Sequence, residues 1–304
     1  TRVYDGTTTV NSADLTTINN LANSEILSLS GSGTVVSQNV GNNKSITNGS
    51  LALVDGTGLA SNYNLTTGTY DITKRWITIT GNKIYDATLS VDNSDLSMSN
   101  IVSGETLSLS GVAQLSSALV GSGKSLSQNT LSLSDGSGLA SNYTFGSLSV
   151  NVTKRTVTLQ GSKAYDGLTT ISGSNISTIS NLAGGENLSI VGEGSILSAE
   201  VGNSKTISLG TLSLADGTGG SAGLATNYSI SSGTVDVTTR QITLSGTRIY
   251  NGSTTVQSSE LFIFSNIVSG ETLALSGSGS VATANVSSGK AVTLGTISLV
   301  DNTA

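Results

Sequence analysis

Three charged side chains recur along this chain at spacings that could assemble a covalent reaction. Glu25, Glu105, Glu186 and Glu271 are each followed 19 residues later by Lys44, Lys124, Lys205 and Lys290, and 11 residues further on by Asp55, Asp135, Asp216 and Asp301. An amine, a carboxyl or amide acceptor and a neighbouring carboxylic acid are the parts of an intramolecular lysine-to-asparagine or lysine-to-aspartate isopeptide bond. In the first copy Lys44, Asp55 or Asn62, and Glu25 would supply them. Such a triad must be buried, so that the lysine pKa falls and the carboxyl pKa rises. Gly41-Asn42-Asn43, just before Lys44, reads instead as an exposed turn, which favours a solvated charge pair.

Asp55-Gly56-Thr57-Gly58 has the form of a calcium turn. Calcium takes about six to eight oxygens, usually from several carboxylates close in sequence. Each loop here offers one aspartate, and the fourth copy reads Asp301-Asn302-Thr303. A tight turn with the aspartate bonding backbone is the better reading, and no cofactor is expected.

The remaining chemistry is narrow. The 304 residues include no histidine and no cysteine, which removes an imidazole base, a thiol nucleophile, the usual zinc ligands and disulfides. Serine and threonine are abundant but nothing activates them, so an enzyme is not expected. A net charge of −6 supplies no basic stripe for nucleic acid. No apolar run approaches the ~20 residues of a membrane span.

The aromatic residues are organised too. Seven of the eight tyrosines occupy two recurring positions: Tyr4, Tyr85, Tyr165 and Tyr250, then Tyr63, Tyr143 and Tyr228. They could form a sugar-binding surface. In units this poor in Phe and Trp, however, they read as the largest core residues, with each hydroxyl finding a partner. Trp76, the only tryptophan, follows Arg75 and is expected to pack at a junction, and the apolar Leu261-Phe262-Ile263-Phe264 is expected to be core.

These positions belong to an internal repeat. Near-copies of Tyr-Asp-Gly begin at Tyr4, Tyr85, Tyr165 and Tyr250, spaced by 81, 80 and 85 residues, and a basic pair or its remnant closes each of the first three units at Lys74-Arg75, Lys154-Arg155 and Thr239-Arg240. The units are 1–75, which lacks the strand preceding its tyrosine, 76–155, 156–240 and a truncated 241–304, as expected for a segment of a longer array. Unit three carries four extra residues in Thr218–Leu224, and only a surface loop absorbs them without disturbing the flanking spacing.

The local pattern is β. Segments such as Thr156-Val157-Thr158-Leu159 alternate apolar and small polar residues, and turn dipeptides such as Asp135-Gly136 separate them. About six or seven strands fit in each unit. The spacing of three in Leu15, Ile18, Leu21 and in Ile176, Ile179, Leu182 predicts one helical turn there. The fold expected is all-β, a tandem array of small β-sandwich-like domains. The alternation runs through Thr153-Lys154-Arg155 without proline or a flexible linker, so domains should join strand to strand in an elongated rod.

Tyr4-Asp5-Gly6-Thr7-Thr8, Tyr165-Asp166-Gly167, Gly58-Leu59-Ala60-Ser61-Asn62-Tyr63 and Ile72-Thr73-Lys74-Arg75 together resemble the YDG/MBG-type repeats of very large bacterial secreted proteins, including adhesins like the filamentous haemagglutinin family. Tyr85-Asp86-Ala87 and Tyr250-Asn251-Gly252 depart from the pattern, which argues against a catalytic or obligate metal role for its aspartate. The resemblance implies an extracellular stalk that presents a distal binding region. The alternatives are a self-assembling filament of many chains and a carbohydrate- or surface-binding module. Expected partners are neighbouring repeats, other copies in a fibre, and a host or abiotic surface or matrix polysaccharide reached through regions outside this segment.

Overall fold

The computed structural model describes residues 1–301 and is all-β, with short 3-10 turns and no α-helix among those residues. Repeat 2 displays the plan most fully. Its first strand, Arg75–Ile84, turns Ile77 and Ile79 inward, both fully buried, and Trp76, Thr78 and Thr80 outward. That is the period-two pattern of a strand with one buried face. Burying each isoleucine contributes about 1.5–3 kcal/mol.

The last strand of the repeat, Tyr143–Thr153, lies parallel to the first, pairing Tyr143 with Arg75 and Thr153 with Ile84. Leu96–Ser99 flanks the first strand, while Gly121–Ser127, Val112–Leu115 and Ser90–Asp92 continue beyond the last, giving a six-stranded sheet. Leu107–Ser110 and Ser132–Asp135 form a separate antiparallel pair. Leu107 of that pair joins the same buried cluster as Ile77, Ile79 and Tyr143, so the core lies between the two sheets. Repeat 2 therefore has eight strands, more than the pattern predicts, because two three- and four-residue edge strands are too short to show an alternation.

Repeat 3 has the same division into six strands and two. In repeat 1 the first strand contributes only Arg2–Val3, parallel to Thr69–Thr73, in a five-stranded sheet. In repeat 4 the large sheet is divided: Thr243–Gly246 pairs with Leu261–Ser265, and Val292–Thr293 belongs to a separate three-stranded sheet. Among the described residues no strand fills the place between them.

The chain forms two compact units, Thr1–Arg155 and the part from Thr156 onward. Within the first, Thr69–Thr73 passes to Arg75–Ile84 through Lys74 alone, a strand-to-strand junction. One buried cluster spans it, with Tyr4, Ile46 and Ile72 from repeat 1 and Ile77, Ile79 and Tyr143 from repeat 2. Within the second unit the corresponding strands, Tyr228–Thr238 and Thr243–Gly246, stand four residues apart.

Two sequence readings are corrected. The helical turn lies not at Leu15–Leu21 or Ile176–Leu182 but just before, as 3-10 turns at Ser12–Asp14 and Gly173–Asn175. Ile176–Ser180 is an edge strand, whose apolar residues at a spacing of three straddle an irregular pairing with Gln160 and Gly161. The Leu261-Phe262-Ile263-Phe264 segment, read as core, has Leu261 and Ile263 half-buried but Phe262 56% exposed, and the Phe264 side chain lies outside the described residues. The insertion in unit three forms an exposed loop with its own 3-10 turn at Gly219–Ser221.

Candidate functional site: the joint between repeats

Each repeat first fixes the backbone of its own leading tyrosine. Tyr4, Tyr85 and Tyr165 donate their backbone N–H groups to the carbonyls of Thr73, Thr153 and Thr238, all at 2.9 Å. The arginine two residues after each of those threonines, Arg75, Arg155 or Arg240, donates to the same tyrosine's carbonyl at 3.4, 3.4 and 3.2 Å. The closing basic pair of the sequence is thus a clamp, with its arginine turned inward.

A second cation holds the turn that follows. Lys83 and Lys163, each 7% exposed, lie two residues before the tyrosine and reach the aspartate just after it, Lys83 to Asp86 and Lys163 to Asp166, both at 2.7 Å. Burial opposes ionisation of Asp86 and Asp166, but the hydrogen bonds from the lysines and neighbouring groups outweigh it and hold both carboxyls below the usual range. Arg2 takes the place of the lysine in repeat 1 and Arg248 in repeat 4. Where repeat 4 has Asn251 instead of aspartate, Arg248 lies 3.6 Å from Glu260. This cation was not singled out by sequence reasoning, although a basic residue stands two before the tyrosine in all four repeats. The third residue of the motif is left-handed: Gly6, Gly167 and Gly252 have φ of +78, +74 and +73°, and Ala87 is forced to +64°. Glycine takes that conformation without steric cost and alanine does not.

Within each compact unit, the recurring glutamate of the later repeat is where the two repeats meet. A tight turn presents it: the N–H of Glu105 donates to the carbonyl of Val102 at 3.0 Å. Tyr143, the second tyrosine of the same repeat, accepts from the Val102 N–H at 3.1 Å and donates to Glu105 Oε2 at 2.6 Å. The other oxygen, Oε1, accepts from Tyr4 of the preceding repeat at 2.5 Å. The two rings meet edge to face, with centroids 5.5 Å apart and planes at 79°. One carboxylate therefore holds two buried phenols, one from each repeat. Burial first, and then the bond to Glu105, push both Tyr4 and Tyr143 up to about 12. A loop of repeat 1 completes the contact: Val40 N–H donates to Asn142 Oδ1 at 2.9 Å, and Asn142 Nδ2 donates to Asn39 Oδ1 at 3.0 Å.

The second unit contains the same bond from a leading tyrosine to the next repeat's glutamate. Tyr165 of repeat 3 donates to Glu271 Oε1 of repeat 4, and that bond, ahead of burial, raises the tyrosine to about 12. Arg240 Nε, like Arg75 Nε, donates to the carbonyl of a left-handed asparagine five residues before the glutamate, Asn266 at 2.7 Å and Asn100 at 2.6 Å. Tyr63 in repeat 1 and Tyr228 in repeat 3 bond their own glutamates, Glu25 at 2.5 Å and Glu186 at 2.6 Å.

The residues of the isopeptide reading each have a partner of their own. Lys44 Nζ donates to the carbonyl of Ser37 at 3.2 Å, and Lys124 and Lys205 make the same reach to Ser117 and Ser198. Glu25 accepts from Tyr63, and Asp55 Oδ1 accepts the N–H of Ala60 at 2.7 Å. Asn62 is exposed, whereas its counterpart Asn142 is 1% exposed under the loop of the preceding repeat. Asp135 and Asp216 cap Ala140 and Ala225 at 2.7 Å as Asp55 caps Ala60, so the longer loop of repeat 3 leaves this bond unchanged. Asp301 is described, while Asn302 and Thr303 of its turn lie outside the described residues.

Of the signature tyrosines, Tyr4, Tyr85, Tyr143 and Tyr228 are buried, Tyr63 and Tyr165 half-buried and Tyr250 61% exposed. Trp76, expected to pack at the junction, is 69% exposed. It sits at an outward position of its strand, and the junction is filled by Tyr4 and Tyr143 instead.

No curated protein and no solved structure matches the chain. The model of the YDG domain matches it four times, at residues 1–70, 73–150, 148–235 and 234–304. These matches span nearly the whole sequence and include the tyrosine turns, the glutamates and the clamps described above, and the chain belongs to the YDG domain family.

Proposed function

We propose that this chain is a structural segment of a bacterial secreted or cell-surface adhesin, an extracellular stalk of tandem YDG domains that carries a binding region away from its anchor. The observation that carries this reading is the joint. In both compact units the recurring glutamate of the later repeat accepts from the leading tyrosine of the earlier one, Glu105 from Tyr4 and Glu271 from Tyr165. In a tandem array, stability is the sum of each unit's core and its nearest-neighbour interfaces, so a longer array needs no new parts.

The reading assigns the segment no catalysis, no cofactor and no calcium. Its structural partners are the adjacent repeats, and a host or abiotic surface is met by other parts of the protein. A stalk is preferred to a laterally assembled filament because the outer strands of the large sheet in repeat 2, Ser90–Asp92 and Leu96–Ser99, are only three and four residues long. Edges that short offer little for strand pairing between chains.

Electron microscopy of the full-length protein on cells tests the proposal. Single thin rods rooted at the surface are expected. Ordered multi-chain fibrils would favour the filament, and compact particles would contradict both.

A further inference from the structure

Trp76 is the one large aromatic side chain of repeat 2 that points out from the sheet, and the fold does not require it. The same strand position holds Thr156 in repeat 3 and Gln241 in repeat 4, each directly after the clamp arginine. A tryptophan that is 69% exposed leaves apolar ring surface in water, and an arrangement that already accepts threonine or glutamine gains no core by it.

Its backbone is held as at the equivalent positions, where Asn181 and Asn266 donate to the carbonyls of Thr156 and Gln241. Asn100 Nδ2 donates to the Trp76 carbonyl at 2.7 Å and Arg75 is anchored on Asn100, so the base of the side chain is fixed. Gly146 lies beside it on the neighbouring strand, where a Cβ would approach Trp76 Cβ to 3.3 Å, so one flank of the residue is free of side chain. The outward positions that follow are hydroxyls: Thr78 and Thr80 on the same strand, paired with Ser99 and Ser97 on one side, and Ser147 on the other. None of these groups is ionised.

We propose that Trp76 and this hydroxyl-bearing sheet face form a binding site for a neutral glycan. A pyranose ring presents an apolar face of C–H groups that stacks on an indole, and its rim of hydroxyls matches threonine and serine, which both donate and accept. With no charged group among them, these side chains favour neutral over anionic polysaccharide. The site lies on the outward face of repeat 2, beside the Arg75 clamp, and it stands or falls independently of the stalk reading.

Because Trp76 is the only tryptophan, its emission reports directly on the site. The whole chain is titrated with cellohexaose and with laminarihexaose while tryptophan emission is followed, and its retardation is measured in native gels containing hydroxyethylcellulose. A saturable blue shift with at least one oligosaccharide, together with retardation, is expected. Trp76→Thr, the residue repeat 3 already carries, should weaken retardation about tenfold or more, while Trp76→Tyr stays within about threefold of the parent. Unchanged thermal unfolding of both variants separates lost binding from lost fold. The proposal is overturned if neither glucan alters emission or mobility, if retardation survives Trp76→Thr, or if anionic alginate is held more tightly than the glucans. It is overturned equally if emission shifts with protein concentration alone, which would place a second copy on this face.

Discussion

At the scale of single residues, the joint depends on a carboxylate that accepts from two phenols, so the state of those phenols should govern stability at high pH. Tyr4, Tyr143 and Tyr165 sit at about 12 against an ordinary 10.0, and Tyr70 is raised as far by burial and the nearby Asp14. The fold binds the neutral phenol more tightly than the unfolded chain does. Its contribution is therefore complete below the unfolded pKa and is lost as pH climbs from about 10 to about 12. Tyrosinate absorbance of the native chain should lag the urea-unfolded chain for these four residues, with loss of circular dichroism starting only above about pH 10. Superimposable titrations of the two states would refute this. Fixed spacing made the glutamate, lysine and tyrosines legible in the sequence. It could not reveal their partners, because Tyr4 and Glu105 are 101 residues apart and no local rule links a side chain to the next repeat. The partner of the lysine is hidden for a related reason: Asn42 and Asn43 before it are exposed, and the chain curls so that Lys44 reaches the carbonyl seven residues back.

At the scale of the element, the Tyr-Asp-Gly turn is held by the buried cation two residues before it. Lys83 bonds Asp86 and Thr88, and Arg2 and Arg248 hold the same turn in repeats 1 and 4. Lys83→Met should therefore cost about 2–3 kcal/mol in urea unfolding and Lys83→Arg less than about 1. Equal losses from the two variants would show that packing rather than the cation holds the turn. Ala87, strained at φ +64°, gives an opposite test: Ala87→Gly should raise stability by about 0.5–1 kcal/mol, and a loss would contradict the strain. Long strands were legible from alternation, as Ile77 and Ile79 demonstrate. Three-residue edge strands and 3-10 turns were not, since neither is long enough to display a period.

At the scale of the whole molecule, each compact unit joins two YDG repeats, and in the first a single apolar cluster runs through both. The number of repeats and the all-β class could be read directly from the sequence. The outward face of Trp76 could not, because a residue at a junction in sequence need not face the junction in space. If the joints couple repeats, Tyr4 and Glu105 must depend on each other energetically across the boundary between repeats 1 and 2. A double-mutant cycle with Tyr4→Phe, Glu105→Gln and the pair, read by urea unfolding, measures that dependence. A coupling energy of about 1–2 kcal/mol is predicted, with the same sign for Tyr165→Phe and Glu271→Gln in the second unit. Losses that add to within about 0.3 kcal/mol would mean that the two repeats are neighbours without being joined.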